Sequence, residues 1–152
     1  MTMLTLSQSL HLRKGKKLVF TNGVFDILHA GHVQYLIQAR ALGDLLLVGI
    51  NTDESVRLLA KGLDRPINNV EDRSAVLAAL RCVDGVVPFS QNTPIELISA
   101  LQPEVHVKGG DYDVALLPET PIVQGYGGSV VILPLLVGRS TTSILKRLGE
   151  GG

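Results

Sequence analysis

Two histidines, His29 and His32, stand three residues apart around Gly31, directly after the run Leu18-Val19-Phe20-Thr21-Asn22-Gly23-Val24-Phe25-Asp26. The apolar start of that run reads as a buried strand. Val33, Leu36, Ile37 and Ala41 then share one helical face. The histidines therefore fall where a strand hands over to a helix. The open N–H groups of a helix start and its positive dipole end attract anions. Imidazoles add donors, and Gly31 lets a ligand approach the backbone closely. The combination reads as a phosphate site. Ordinary capping and packing would also place a histidine pair there, so the rest of the chain must decide.

Other chemistries fit less well. A zinc site takes three or four ligands, and Cys82, His11 and His106 stand at no ligand spacing from the pair. The chain has no G-x-G-x-x-G after the strand and no G-x-x-x-x-G-K-[ST] run, which excludes a dinucleotide fingerprint and a P-loop. Fourteen basic residues balance fourteen acidic ones, so no general affinity for nucleic acid or an anionic membrane is expected. A single cysteine excludes an intrachain disulfide framework. No apolar run is long enough to span a membrane, and the basic residues from Arg13 to Lys17 follow the weakly apolar start rather than precede it. A cytoplasmic protein is expected.

The elements that must hold the histidines follow from the pattern. Residues 1–16 read as a lead segment, irregular or a short helix, and residues 17–152 as one domain. Strands are expected near residues 17–21, 44–50, 84–89, 104–108 and 129–134. Helices are expected near 31–42, after Asn51-Thr52-Asp53, near 70–80, from a capping box at Thr93-Pro94-Ile95-Glu96, weakly over 118–125, and from Ser140 onward. This alternation predicts an α/β fold: a single Rossmann-like domain with a five-stranded parallel sheet flanked by helices. Ligands of such sheets bind beyond the carboxyl ends of the strands, at the switch point. The unusual stretches all fall after strands: Asn22 to His32, Asn51 to Asp53, Lys108 to Asp111, and Gly138 to Thr142. One shared site is the simplest reading.

Each of these stretches also has a plainer reading. Gly138-Arg139-Ser140-Thr141-Thr142 carries three hydroxyls into a helix, where one suffices as a cap. Lys61 lies in a polar loop, the usual place of a solvated lysine. Arg73 falls near a buried helix face, with either its stem packed or its guanidinium turned to a ligand. Lys108-Gly109-Gly110-Asp111-Tyr112 is a strand-ending turn beside the switch point, suited to a base, a ribose or a second substrate. His106, inside a strand, reads as a core or sheet-face residue.

Gly23-Val24-Phe25-Asp26 followed by His29-Ala30-Gly31-His32 resembles the HxGH signature of the cytidylyltransferase-like nucleotidyltransferases, a superfamily of HUP type. The resemblance covers about Lys17 to Leu148. It implies that His29 and His32 contact nucleotide phosphates and that Lys61 reaches the triphosphate. It implies that Gly138, Ser140, Thr141 and Thr142 hold the β- and γ-phosphates. Further nucleotide contacts are expected at Asn22, Gly23, Val24, Phe25, Gly31, Arg73, Lys108 and Gly109. The second substrate is expected at Asp26, Asn51, Asp53, Gly110 and Asp111.

Lys61-Gly62-Leu63-Asp64-Arg65-Pro66, Val107-Lys108-Gly109-Gly110-Asp111-Tyr112 and the Ser140–Thr142 run together look most like the adenylyltransferase domain of the heptose 1-phosphate pathway. The related glycerol-3-phosphate cytidylyltransferases carry an arginine where this chain has Leu135, and Arg139 departs from both groups. The implied reaction moves AMP from ATP to a sugar 1-phosphate, giving an ADP-sugar and pyrophosphate. The substrate's own phosphate is the nucleophile; its second pKa is about 6, so no general base is needed. Mg²⁺ is expected, held mainly by the nucleotide phosphates, and so is a homodimer. The alternatives are a glycerol-3-phosphate-type cytidylyltransferase, an FAD synthetase-like adenylyltransferase, and a nucleotide-binding regulatory module without turnover.

Overall fold

The structure is a computed structural model describing residues 3–59, 64–135 and 141–150, without the side chains of Thr141 and Ser143. Strands β1 (Leu18–Gly23), β2 (Leu45–Asn51), β3 (Gly85–Phe89), β4 (Val105–Gly109) and β5 (Ser129–Leu133) form one parallel sheet, in the order β3-β2-β1-β4-β5. From β1 the chain runs outward to β2 and β3, then crosses to β4 on the other side. The switch point therefore lies between the carboxyl ends of β1 and β4.

Helices α1 (Leu6–Arg13), α2 (Ala30–Arg40), α3 (Asp53–Leu58), α4 (Val70–Ala78), α5 (Ile95–Leu101), α6 (Thr120–Gly125) and α7 (Thr141–Glu150) accompany the sheet. All seven residues of β2 are buried, as a strand covered on both faces requires. Alternate residues of β1 serve opposite cores. Val19 packs with Leu36 of α2 and Leu77 of α4, whereas Leu18 and Phe20 pack with Ile98 and Leu101 of α5 and Val123 of α6.

The lead segment is helical and fastened to the sheet. Thr5 and Gln8 form a capping box at α1. Leu4 donates to Val86 O at 2.7 Å, and Arg13 donates to the carbonyls of Leu101 and Gln102 and pairs with Glu104.

Two local expectations need correction. The capping box foreseen at Thr93 does not form. Pro94, with φ −81° and ψ 9°, is the N-cap without a side-chain hydrogen bond, so the helix starts too late for the Thr93 hydroxyl to reach its first turn. On α2, the buried residues are Gly31, Tyr35, Leu36 and Ala39, while Ile37 is 55% exposed. The helix is rotated so that Tyr35 points into the switch point.

Candidate active site

A cavity of about 280 Å³ opens at the carboxyl ends of β1 and β4. The β1–α2 turn supplies one wall through Asn22, Gly23, Val24, Phe25, Asp26, His29, Gly31 and His32. Tyr35, Arg65, Gly109, Leu135 and Thr142 supply the rest.

The two imidazoles form a reciprocal cap at the start of α2. Gly31 N–H donates to His29 Nδ1 at 3.1 Å, and His29 N–H donates to His32 Nδ1 at 3.4 Å. In the neutral ring each proton must then sit on Nε2, so each histidine offers an Nε2–H donor. The rings stack with centroids 3.9 Å apart, and the Phe25 ring stands edge-on to His32 at 5.3 Å. Burial, followed by the charge of His29, pushes the His32 pKa down to about 4. At neutral pH His32 is an uncharged donor beside an eleven-residue helix whose first turn holds no acidic residue.

The turn that carries the pair is strained. Phe25 has φ +51°, a left-handed conformation that costs a bulky residue about 1–2 kcal/mol. Gly23 makes room for it: a Cβ there would lie 2.9 Å from Phe25 Cε2. Tyr35 braces the far side: its hydroxyl and that of Thr21 bond each other, and the one whose proton is not used there donates to Val107 O, which lies 3.0 Å from the Tyr35 hydroxyl and 2.9 Å from that of Thr21. These bonds tie α2, β1 and β4 together across the switch point. The Oδ1 of Asn22 is buried in this wall without a hydrogen-bond partner among the described residues, an acceptor that a ligand hydroxyl or amino group would satisfy.

Several expected contacts are not formed. Asp26 was expected to meet the second substrate; it stands in the cavity wall, but its carboxylate is buried and already engaged. The carboxylate accepts from Arg65 Nε at 2.7 Å, Ile67 N at 2.8 Å and Asn68 N at 2.9 Å. Burial alone would raise its pKa; these donors overcome it and hold the pKa below the ordinary value. Asp26 is thus the clamp of the 65–68 turn.

Arg73 was expected to reach the nucleotide and instead is 1% exposed. Its guanidinium donates to Asn68 O, Val24 O and Asn51 O and pairs with Asp53 at 2.6 Å. It is a strut beneath the cavity, joining α4 to the ends of β1 and β2.

Asn51 is buried against Ser55, and Asp53 is engaged by Arg73, so neither lines the cavity. Lys108 turns away to pair with Glu119 at 3.6 Å and to lie over the Tyr112 ring. Gly109 lines the cavity, whereas Gly110 and Asp111 do not. Lys61, Gly138, Arg139, Ser140 and the side chain of Thr141 lie outside the described residues.

Tyr35, Arg65 and Leu135 were missed as wall residues. Tyr35 stands three residues after His32, the helical spacing that puts both on one side. Arg65 belongs to the Lys61–Pro66 motif, but its partner Asp26 is 39 residues away. Leu135 carries no polar atom to mark it, and its only sequence signal is that it stands where the related cytidylyltransferases have an arginine.

The family model of the cytidylyltransferase-like proteins matches residues 20–132. The chain belongs to the cytidylyltransferase-like family. The matched range spans the sheet from Phe20 in β1 to Ile132 in β5 and includes the HxGH turn. Within the family, the chain is 58% identical over 139 residues to a D-beta-D-heptose 1-phosphate adenylyltransferase of Bordetella bronchiseptica, covering 91% of this chain and 86% of the relative. It is 52% identical over 136 residues to the bifunctional protein HldE of Syntrophotalea carbinolica, where it covers 90% of itself but only 28% of that protein.

Among solved structures, a lipopolysaccharide core biosynthesis protein from Thermoplasma volcanium superposes with a TM-score of 0.66 at 29% identity, over 80% of this chain and 98% of that one. A pantoate-beta-alanine ligase of Francisella tularensis shares the fold at a TM-score of 0.63 and 17% identity, over 95% of this chain and 73% of that one. The expected family, and the single five-stranded Rossmann-like domain of a HUP nucleotidyltransferase, are both found.

Proposed function

We propose that this protein is an adenylyltransferase that moves AMP from ATP to a heptose 1-phosphate, releasing pyrophosphate and forming an ADP-sugar. The observation that carries the reading is the stacked His29–His32 cap at the switch point, within a chain 58% identical to a protein named for that activity. An oxygen of the acceptor phosphate attacks the α-phosphorus of ATP. A new P–O bond forms, the bond to the β-phosphate bridge breaks, and the electron pair leaves with pyrophosphate. The acceptor phosphate is already ionised, so no base on the protein is needed. Catalysis is positioning together with stabilisation of the charge that develops on the phosphates.

His29 and His32 donate through Nε2–H to the α- and β-phosphate oxygens, and the N-terminus of α2 adds its dipole. Thr142, at the start of α7, faces the leaving group. Lys61, Gly138, Ser140 and Thr141 are proposed to join it there. Asn22, Gly23, Val24, Phe25, Gly31 and Gly109 form the nucleotide wall.

Mg²⁺ is proposed to ride on the triphosphate. No group of three metal-ligating side chains occurs among the described residues, and the donors around the cavity suit phosphate oxygens better than a divalent cation. The ion would neutralise phosphate charge when bound.

A cytoplasmic site of action is supported by the substrates, and no helix among the described residues is long and apolar enough to cross a membrane. A homodimer is the proposed assembly. An apolar hollow between Val33 and Ile37 of α2 and the 80–82 turn supports it.

The test is a pyrophosphate-release screen crossing ATP and CTP with heptose 1-phosphate, other sugar 1-phosphates, glycerol 3-phosphate and FMN. Release with ATP and heptose 1-phosphate is expected. Preference for CTP by tenfold, about 1.4 kcal/mol, would instead assign the chain to the cytidylyltransferases. No release with any pair would leave a binding module.

A further inference from the structure

Beside the cavity at the switch point lies a second cleft of about 480 Å³. Its walls are the start of α3, the 64–69 turn and the start of α4, and its lining is polar: Asp53, Arg57, Asp64, Asn69 and Asp72. Arg65 lines both spaces.

The arginine is held in a defined way. Its Nε donates to Asp26, whose carboxylate also gathers the backbone N–H groups of Ile67 and Asn68. The Arg65 side chain is only 11% exposed, and Nε carries its sole hydrogen bond among the described residues. The two Nη groups keep donors for a ligand, in the fork geometry that matches a phosphate.

The cleft beyond has a different character. Asp53 is neutralised by Arg73. Arg65 is paired with Asp26, which leaves Arg57 alone facing Asp64 and Asp72, so the walls offer no net positive charge to a second polyphosphate. Guanidinium and carboxamide N–H donors beside carboxylate acceptors instead match a polyol, whose hydroxyls both donate and accept.

Resting on the adenylyl-transfer reading above, we infer that the acceptor substrate binds astride Arg65, its phosphate on the Arg65 guanidinium in the first cavity and its sugar hydroxyls in the polar cleft lined by Arg57, Asp64, Asn69 and Asp72. This divides the two substrates between two spaces. The nucleotide phosphates take the imidazole wall, and the acceptor phosphate reaches them from the Arg65 side. Specificity for a sugar over a smaller phosphorylated acceptor then resides in the second cleft.

The test uses the whole chain saturated with α,β-methylene ATP, which cannot transfer its adenylyl group. Heptose 1-phosphate is titrated by calorimetry, and the KM for that acceptor is measured with ATP. Arg65→Gln should weaken acceptor binding by at least about tenfold, the size expected of a lost charge-assisted contact, while the ATP analogue binds within twofold of wild type. Arg57→Gln and Asp72→Asn touch neither Asp26 nor the histidine wall, so they carry the test even if Arg65→Gln loosens its turn. Each should raise the acceptor KM several-fold while analogue binding stays within twofold of wild type.

Equal weakening of analogue and acceptor in Arg65→Gln would place Arg65 on the nucleotide and overturn the inference. An unchanged acceptor KM in both cleft variants would overturn it as well. A wild-type chain that turns over heptose 1-phosphate while Arg65→Gln binds it normally overturns the subsite but leaves the function intact. A wild-type chain that neither binds nor adenylates any sugar 1-phosphate overturns both.

Discussion

His29 and His32 face each other as a stacked pair, 3.9 Å between ring centroids, each with Nδ1 occupied by a backbone N–H of the same helix start. The backbone thereby sets the tautomer of both rings. It also sets their spacing, because the residues that cap the helix are the residues that present the donors. Local structure and chemistry are one arrangement here.

Arg73 carries a prediction opposite to that of a ligand residue. Its guanidinium is buried and holds three carbonyls and Asp53. Arg73→Met leaves those groups without their donor and should cost about 3 kcal/mol of stability, the lower end for a broken buried pair, since Asp53 keeps 27% exposure. Urea unfolding measures this. Unchanged stability with lost ATP binding would return Arg73 to the nucleotide site.

Much of this architecture was legible locally. The unbroken apolar run of β2 reads as a strand covered on both faces, and the spacing of His29, Gly31 and His32 marks a strand-to-helix junction without any long-range information. The roles that Asp26 and Arg73 play within the fold were not legible because their partners are remote. Asp26 closes on residues 39 to 42 positions away, and Arg73 reaches Val24 across 49. A carboxylate next to a signature histidine looks like a ligand until the turn that fills it is seen. The capping box at Thr93 failed for a local reason, the ψ of Pro94.

His106 makes acid stability testable. It is fully buried on β4 and stacked on Phe20. Burial pushes its pKa down to about 4 although the nearby Glu119 charge pulls it upward. Between pH 6.5 and 4 the unfolded chain binds this proton and the folded chain does not. Stability therefore falls as pH drops through that window, by at most about 1.4 kcal/mol per pH unit for the group. His32 acts in the same direction. His106→Phe should keep the ring stack and flatten the dependence of Tm on pH between 7 and 5. Parallel curves for variant and wild type would contradict this.

Thr142 separates capping from binding at the start of α7, where it lines the cavity. A helix cap alone is worth about 1 kcal/mol of stability. Thr142→Ala is expected to weaken ATP binding several-fold with little change in Tm. A lowered Tm with unchanged ATP affinity would leave the residue a purely structural part of the first turn of α7.

The account rests on the histidine pair acting on the transition state. Loss of one preorganised donor typically costs about 3–4 kcal/mol of barrier, or 10²–10³ in rate. His32→Asn keeps a polar group of similar reach at a cleft rather than in the core, so folding should persist. The decisive measurement is kcat for His32→Asn with ATP and heptose 1-phosphate, alongside ATP affinity in the same variant. A fall in kcat by about 10²–10³ with ATP affinity within a few-fold of wild type is the predicted result. A kcat close to wild type in the folded variant would contradict it.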